Sequence, residues 1–256
     1  MSRSKVAVVS GGGGGIGADV CRLFVRERDL SDLVIAQRHE PKAELLDQLR
    51  DSDVNVHYLP LDLTDIRGSV PKFGASVRER FNAVNYLVLT AGVCPRDHWS
   101  TLPYDAFLDK LEEVELTNFK GPMGVIHALA PALLAGQAGI VGVSSLAASI
   151  GGKATFVGYD SSKGGLEAAL RHFSRHCFDP SDDSRRFHTV TIAPGPVATE
   201  MLKTMSAAQI ADFKAATRTG QLTTPEEVAN LIVMAAKTPA LTGQTIHVNS
   251  GILCGK

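Results

Sequence analysis

The sequence predicts an α/β fold, one doubly wound sheet of about seven parallel strands with helices on both faces. Three observations predict it. Apolar, β-type runs alternate with helical patterns along nearly all of the 256 residues. The runs are almost continuously apolar, as strands covered on both faces must be. Hydrophobic residues make up 44% of the chain and charged residues 21%, a globular balance that excludes a disordered chain. No internal repeat and no Pro/Ser-rich linker interrupts the alternation, so a single domain over residues 1–256 is expected.

The elements follow in order. Residues 6–9 form the first apolar run, before a glycine cluster and a helical pattern carrying Val20, Leu23 and Phe24 on one face. Residues 33–36 are the second run, followed by a helix over 42–50 with Leu45, Leu46 and Leu49. Residues 54–59, a helix near 69–81 and residues 86–89 come next. A long helical pattern covers 104–134, with bends expected at Pro122 and near Pro131. Residues 140–143 are a fifth run, and 159–178 read as a long helix. Residues 178–186, with Asp179, Pro180, Asp182 and Asp183, read as a polar loop. Residues 189–192 are a sixth run, 225–236 a helix opened by proline, and 245–248 a seventh run. Residues 199–220 are longer than an ordinary connection and carry their own helical pattern (Met201, Leu202, Met205, Ile210, Phe213), which suits a lid.

Charge and cysteine content narrow the function classes. Lys plus Arg number 26 and Asp plus Glu 27, a net charge of −1 that lacks the footprint of a nucleic-acid binder or a polybasic membrane anchor. Cys21, Cys94, Cys177 and Cys254 have neither CxxC pairing nor metal-ligand spacing, so no metal site is expected. The start, Met1 to Lys5, leads directly into a strand without a signal-peptide h-region, and the most apolar stretch, 125–152, is interrupted by polar residues. A cytoplasmic protein is expected.

The glycine cluster carries the first chemistry. Ser10 precedes five glycines, Ile16 and Gly17; Gly12, Gly14 and Gly17 satisfy GxGxxG, while Gly11, Gly15 and Gly17 satisfy GxxxGxG. In a run of glycines either match is cheap, but the context of strand, turn and helix is that of a dinucleotide site. Glycine permits close approach of a pyrophosphate, whose charge the helix N-terminus stabilises. An acidic residue gripping a ribose 2′-hydroxyl belongs about 20 residues further on. Neutral Gln37 stands there, followed by Arg38, whose guanidinium suits a 2′-phosphate. This predicts NADP(H) as the preferred cofactor, with NAD(H) as the second choice.

Tyr159 and Lys163 supply the second. Four residues apart at a helix start, they share one face about one turn apart. A neighbouring ammonium lowers the pKa of a phenol, so an acid–base group acidified by Lys163 is expected.

With these residues the chain resembles, along its whole length, the classical short-chain dehydrogenase/reductase family. The matching stretches are Gly11-x-x-x-Gly15-Ile16-Gly17, Asp62-Leu63-Thr64, Ala91-Gly92, Asn118-x-x-Gly121, Ser144-Ser145, Tyr159-x-x-x-Lys163 and Pro194-Gly195-x-Val197-x-Thr199. The resemblance implies a Rossmann-type fold, a nicotinamide cofactor and a catalytic tetrad of Asn118, Ser145, Tyr159 and Lys163. Tyr159 would exchange a proton with the substrate oxygen. Lys163 would lower the phenol's pKa and bond the nicotinamide ribose, Ser145 would bond the substrate oxygen, and Asn118 would hold a helix bend and a water. The cofactor positions implied are Ser10, Gly11, Gly14, Gly15, Ile16, Gly17, Gln37, Arg38, Asp62, Leu63, Thr90, Ala91, Gly92, Tyr159, Lys163, Pro194, Gly195, Val197 and Thr199. Asp62 would face the adenine amino group, and residues 194–199 would close over the nicotinamide.

The chain departs from the family pattern in four places. Ser10 replaces a threonine, Thr90 replaces the asparagine of Asn-Ala-Gly, and Asn249-Ser250-Gly251 replaces Asp-Gly-Gly. Ser145 and Tyr159 lie fourteen residues apart, one more than the common spacing, which leaves Ser144 as a rival for the serine role.

The expected function is an NADP(H)-dependent oxidoreductase interconverting a carbonyl and a secondary alcohol. The alternatives are a 3-oxoacyl-acyl-carrier-protein reductase, whose acidic partner would need a basic patch such as Arg171, Arg175, Arg185 and Arg186, and a non-catalytic dinucleotide sensor. The pocket is expected from residues 93–102, 146–158 and the segment after Gly195; Cys94, His98, Trp99, Phe156 and Met201 there are mixed in character and fix no substrate class, Trp99 being either a pocket wall or a partly buried aromatic and His98 a structural rather than a catalytic residue. A small-molecule substrate and a homodimer or homotetramer are expected, the latter from the small residues Gly164, Gly165, Ala168 and Ala169 on one helix face.

Overall fold

The computed structural model describes residues 5–27, 30–179, 181–203 and 205–253. Seven strands form one sheet: β1 (Lys5–Ser10), β2 (Leu30–Gln37), β3 (Asn55–Pro60), β4 (Tyr86–Leu89), β5 (Gly139–Val143), β8 (His188–Pro194) and β9 (Thr245–Val248). Their order is β3-β2-β1-β4-β5-β8-β9, and every pairing is parallel. The order reverses between β1 and β4, the switch point at which such sheets leave a crevice beyond their carboxyl ends.

Burial on both faces explains the unbroken apolar runs. In β1, Ala7 and Val9 join a core with α1 (Gly15–Phe24), α2 (Ala43–Arg50) and α10 (Pro225–Ala236). Val6 and Val8 join the other core, with α3 (Ser69–Arg80), α5 (Gly121–Ala135) and α7 (Tyr159–His176). Consecutive residues point to opposite faces, so each strand feeds both layers.

Several elements differ from the sequence-based expectation. The long helical pattern divides into α4 (Tyr104–Glu115), a π turn (Leu116–Lys120) and α5. The interruption is the wide turn before Pro122 rather than a proline kink, and Pro131 lies inside α5. Residues expected as a polar loop form a hairpin of β6 (Phe178–Asp179) and β7 (Asp182–Arg186), outside the main sheet. The carboxylates of Asp179 and Asp182 bond the hydroxyls of Ser181 and Ser184, so polar composition here reflects turn chemistry. Residues 199–220 contain two helices, α8 (Glu200–Lys203) and α9 (Ala207–Ala216), the latter started by a capping box between Ser206 and Gln209. A four-residue helix, α6 (Ala147–Ile150), follows β5. Among the described residues no helix is long and apolar enough to cross a membrane, and no His/Cys/Asp/Glu cluster could hold a metal ion.

Candidate active site

A cavity of about 900 Å³ opens at the switch point, large enough for a dinucleotide with a small substrate beside it. Its floor is the glycine turn. Gly14 caps α1 in an extended conformation with no side-chain cap, and the first turn holds no acidic residue. The helix therefore presents uncapped N–H groups and its positive dipole end to the cavity. Gly11 adopts φ +77°, and a Cβ there would sit 2.7 Å from the Ala91 nitrogen. A Cβ on Gly17 would collide with the Gly11 carbonyl, whereas one on Gly14 would meet nothing within 4 Å. A tightly packed turn with open space above Gly14 fits a pyrophosphate.

The departure at Thr90 is compensated locally. Its hydroxyl donates to the Ser10 carbonyl at 2.6 Å, and the Thr90 and Ala91 amides donate to the same oxygen at 3.0 and 3.1 Å. The ends of β1 and β4 are thus tied by a hydroxyl in place of an amide. At the other departure, Ser250 adopts φ +51°, in the left-handed region that glycine favours, and its carbonyl accepts from Arg218.

The end of β2 carries the charge. Gln37 accepts from the Gly13 amide at 2.7 Å and donates to the His39 carbonyl at 2.7 Å, so its neutral side chain is committed to the glycine turn. Arg38 pairs with Asp62 through two contacts of 3.1 and 3.2 Å. Burial opposes the Asp62 charge, but hydrogen bonds from Thr64 and Arg38 win and hold its carboxyl below the usual range.

The chemical end is built from β5 and α7. Ser145 stands just past β5, where its hydroxyl accepts from the Ala147 amide at 3.2 Å and, beside Tyr159, favours the ionised phenol. The rival Ser144 is buried and turned away, donating to Glu167 at 2.6 Å. Gly158, at φ +67°, starts α7 and sets the position of Tyr159. Lys163 is buried, and its Nζ donates to the Val143 carbonyl at 2.8 Å, 5.9 Å from the Tyr159 ring centroid.

The spacing argument predicts an acidified phenol, and the structure reverses it. Burial pushes the Tyr159 phenol up to about 12, and it outweighs the Ser145 hydrogen bond and the Arg96 charge. Burial likewise pulls Lys163 down to about 8. The low dielectric penalises both charged forms, and the ammonium is bonded to a backbone carbonyl rather than to the phenol.

Asn118 lies in the π turn, fully buried. Its side chain accepts from the Val93 amide at 2.9 Å and donates to the Val93 carbonyl at 2.9 Å and the Ser162 hydroxyl at 3.1 Å. It clasps the strip after β4 onto α7 instead of lining the cavity. Every other catalytic or cofactor position singled out from the sequence lines the cavity.

The substrate end is less as expected. Val93, Cys94, Leu146 and Phe156 line it, but His98 and Trp99 do not. His98 bonds Ser100, and Trp99 is 59% exposed. The side chain of Met201 and all of Cys254 lie outside the described residues. Arg171, Arg175, Arg185 and Arg186 are not among the lining residues; Arg171 faces Glu167 and Arg185 pairs with Asp179. Besides Lys163, the lining cations at this end are Arg96 and Lys153, which sequence reasoning passed over although both fall in the stretches expected to line the pocket. No motif marked them; their only signal was position.

A glycine-turned helix start at a switch point, joined to a serine–tyrosine–lysine cluster, defines a nicotinamide-dinucleotide oxidoreductase. The comparisons with known proteins agree. The family model "short chain dehydrogenase" matches residues 5–210, and the chain belongs to that family, whose members are NAD(P)-dependent dehydrogenases and reductases. It is 28% identical over 251 residues to the 3-oxoacyl-(acyl-carrier-protein) reductase FabG of Vibrio harveyi, covering 97% of each chain. It is 27% identical over 255 residues to a 3alpha-hydroxysteroid dehydrogenase of Mediterraneibacter gnavus, again covering 97% of each. The fold matches a short-chain dehydrogenase/reductase from Brucella melitensis described as glucose/ribitol dehydrogenase, with TM-score 0.80 at 24% identity, covering 98% and 97%.

Proposed function

We propose that this enzyme uses NADP(H) to interconvert a carbonyl and a secondary alcohol, with Tyr159 as the proton donor and acceptor. The observation that carries the proposal is the convergence of Ser145, Tyr159 and Lys163 on one end of a cavity whose other end is the glycine turn and Arg38. The cofactor, when bound, supplies or accepts a hydride. The chain supplies position and a proton. Ser145 bonds the substrate oxygen and stabilises the charge that develops there. Tyr159, held protonated by its burial, gives its proton to that oxygen during reduction. Lys163 holds the ribose end of the nicotinamide, and Asn118 keeps Val93 and α7 in place around it. Residues 194–199 cover the ring, and α8 and α9 act as the lid.

NADP(H) is favoured over NAD(H) because no carboxylate stands at position 37. The exposed Arg38–Asp62 pair is worth ~0–1 kcal/mol. Charge-assisted bonds to a 2′-phosphate are worth ~1.5–3 kcal/mol each and would displace it. The similarity to acyl-carrier-protein reductases supports that activity as a second reading, but the four arginines suited to dock an acidic carrier do not border the cavity. With its cysteines Cys21, Cys94 and Cys177 free, the protein is proposed to be cytoplasmic, a single domain, and a homodimer or homotetramer like its family.

The test is a screen of ketones with NADPH and of alcohols with NADP+, followed by the absorbance of the reduced cofactor, with Tyr159→Phe as control. Turnover that NADPH supports and the variant loses is the expected result. Cofactor binding without turnover of any carbonyl would sink the proposal.

A further inference from the structure

Ser145 and Tyr159 have to meet at one substrate oxygen, yet they stand on different layers, Ser145 just past β5 and Tyr159 on α7. The sheet fixes only the first. The Ser144 amide donates to the Ile192 carbonyl at 2.8 Å and the Leu146 amide to the Pro194 carbonyl at 2.7 Å, so Ser145 is held between rungs that lead to β8. Those rungs do not set its distance from α7. The apolar contact between the layers, where Leu166 and Leu170 leave no room for a Cβ on Gly142, is close but non-directional. Direction comes from polar side chains. Lys163 and Glu167 lie one turn apart on one face of α7. The Lys163 Nζ donates to the Val143 carbonyl at 2.8 Å. The Glu167 carboxylate accepts from the Ser144 hydroxyl at 2.6 Å, and the same hydroxyl oxygen lies 3.3 Å from the Lys163 carbonyl. One turn of helix thus grips the two residues that directly precede Ser145. Ser144 and Glu167 are both buried, where a bond to a carboxylate is shielded from competing water. The other carboxylate oxygen of Glu167 faces the half-exposed Arg171 at 3.8 Å.

Resting on the reductase scheme, we propose that Glu167 is a positioning residue, which acts through Ser144 to hold Ser145 at its working distance from Tyr159. That scheme commits Lys163 to the cofactor ribose, so the Ser144–Glu167 bond is the one left to carry the register between β5 and α7. An apolar pair would be cheaper to bury here; the carboxylate adds direction instead. Without the bond, α7 stays packed on the sheet by its leucines but is free to shift along it. A misplacement of ~1 Å at the reacting atoms costs about 10²-fold in rate.

The test measures Glu167→Ala, Glu167→Gln, Ser144→Ala and the double alanine variant in the full chain, with NADPH and the best carbonyl of the screen above. Each single alanine variant is expected to lose about 10- to 100-fold in kcat, with KM and the NADPH affinity read by fluorescence changed by no more than about threefold. Glu167→Gln, whose amide oxygen still accepts the hydroxyl, is expected to regain most of the loss. The double variant is expected to lose no more than the worse single one, since both changes remove the same bond. Crystal structures add a readout that needs no turnover: in the alanine variants the distance between Ser145 Oγ and Tyr159 Oη is expected to change by more than about 0.5 Å. Should Glu167→Ala fail to fold, Ser144→Ala, which removes a single oxygen, decides. A kcat within about twofold of the wild type, losses that multiply in the double variant, equal losses of kcat and NADPH affinity, or an unmoved Ser145 would each overturn the assignment while leaving the reductase scheme intact. A wild type that binds NADPH and reduces no carbonyl would overturn the scheme itself, and the crystal comparison would still decide whether Glu167 sets the place of Ser145.

Discussion

The two ends of the cavity are made of different materials. The dinucleotide end consists of strand termini and backbone: Ser10, Gly11 and Ala91 are joined by hydrogen bonds and by contacts that leave no room for a Cβ. The substrate end consists of loops, short helices and side chains stacked on one another, such as Arg96 on Phe156 and Lys153 on Phe213. On the proposed function, rigid backbone would recognise the dinucleotide and adaptable side chains the substrate.

If the ends divide labour this way, chemistry should be separable from cofactor binding. Tyr159→Phe is expected to lower kcat by about 10²–10⁴-fold with NADPH affinity changed by no more than a few-fold, measured by steady-state kinetics and fluorescence titration. Equal losses in both would break the division. At the dinucleotide end, Arg38→Ala should reduce the preference for NADPH over NADH in kcat/KM by about 10- to 100-fold, leaving NADH kinetics near the wild type.

Protonation sharpens the contrast further, since both shifted groups sit at the chemical end. Lys163 has a folded pKa of about 8 against 10.5 unfolded, so between those values the unfolded chain holds more protons and stability rises with pH. Tyr159 acts oppositely: its folded pKa, raised to about 12, contributes stability that is lost as pH rises above 10. Thermal unfolding of the cofactor-free enzyme should show Tm gaining between pH 8 and 10 from Lys163, a gain missing in Lys163→Met. The smallest effect belongs to the lid. Phe213→Ala removes the ring beneath Lys153 and is expected to raise the substrate KM by about two- to fivefold with kcat nearly unchanged. A larger fall in kcat would mean that the lid shapes the reacting geometry as well.

What could be read from sequence followed the same line. The seven strands and the glycine turn were legible because apolar runs and glycine spacing report backbone directly. The ends of β4, α10 and β9 were placed to the residue, since Tyr86, Pro225 and Val248 mark sharp changes of pattern. The hairpin at Asp182 was hidden, because its polar side chains bond their own turns and mimic a loop. The phenol's pKa was missed for a related reason: spacing gives the distance between two groups along a helix, whereas the shift was decided by burial, which spacing does not contain. Arg96 carried no motif, and only the packing of Phe156 shows where its charge lies.

The π turn at 116–120 adds one residue to the helical count, and that residue works like a change of gear. Successive residues on an α-helix are about 100° apart in azimuth, so the insertion re-indexes which positions look inward. Before it, α4 buries only Val114; after it, α5 buries a broad side including Val125, Ile126, Leu129 and Leu133. Excising one residue there would restore regular winding and leave one of the two halves out of phase with its neighbours. The peg that joins Val93 to the tyrosine helix would be dislodged by the same cut.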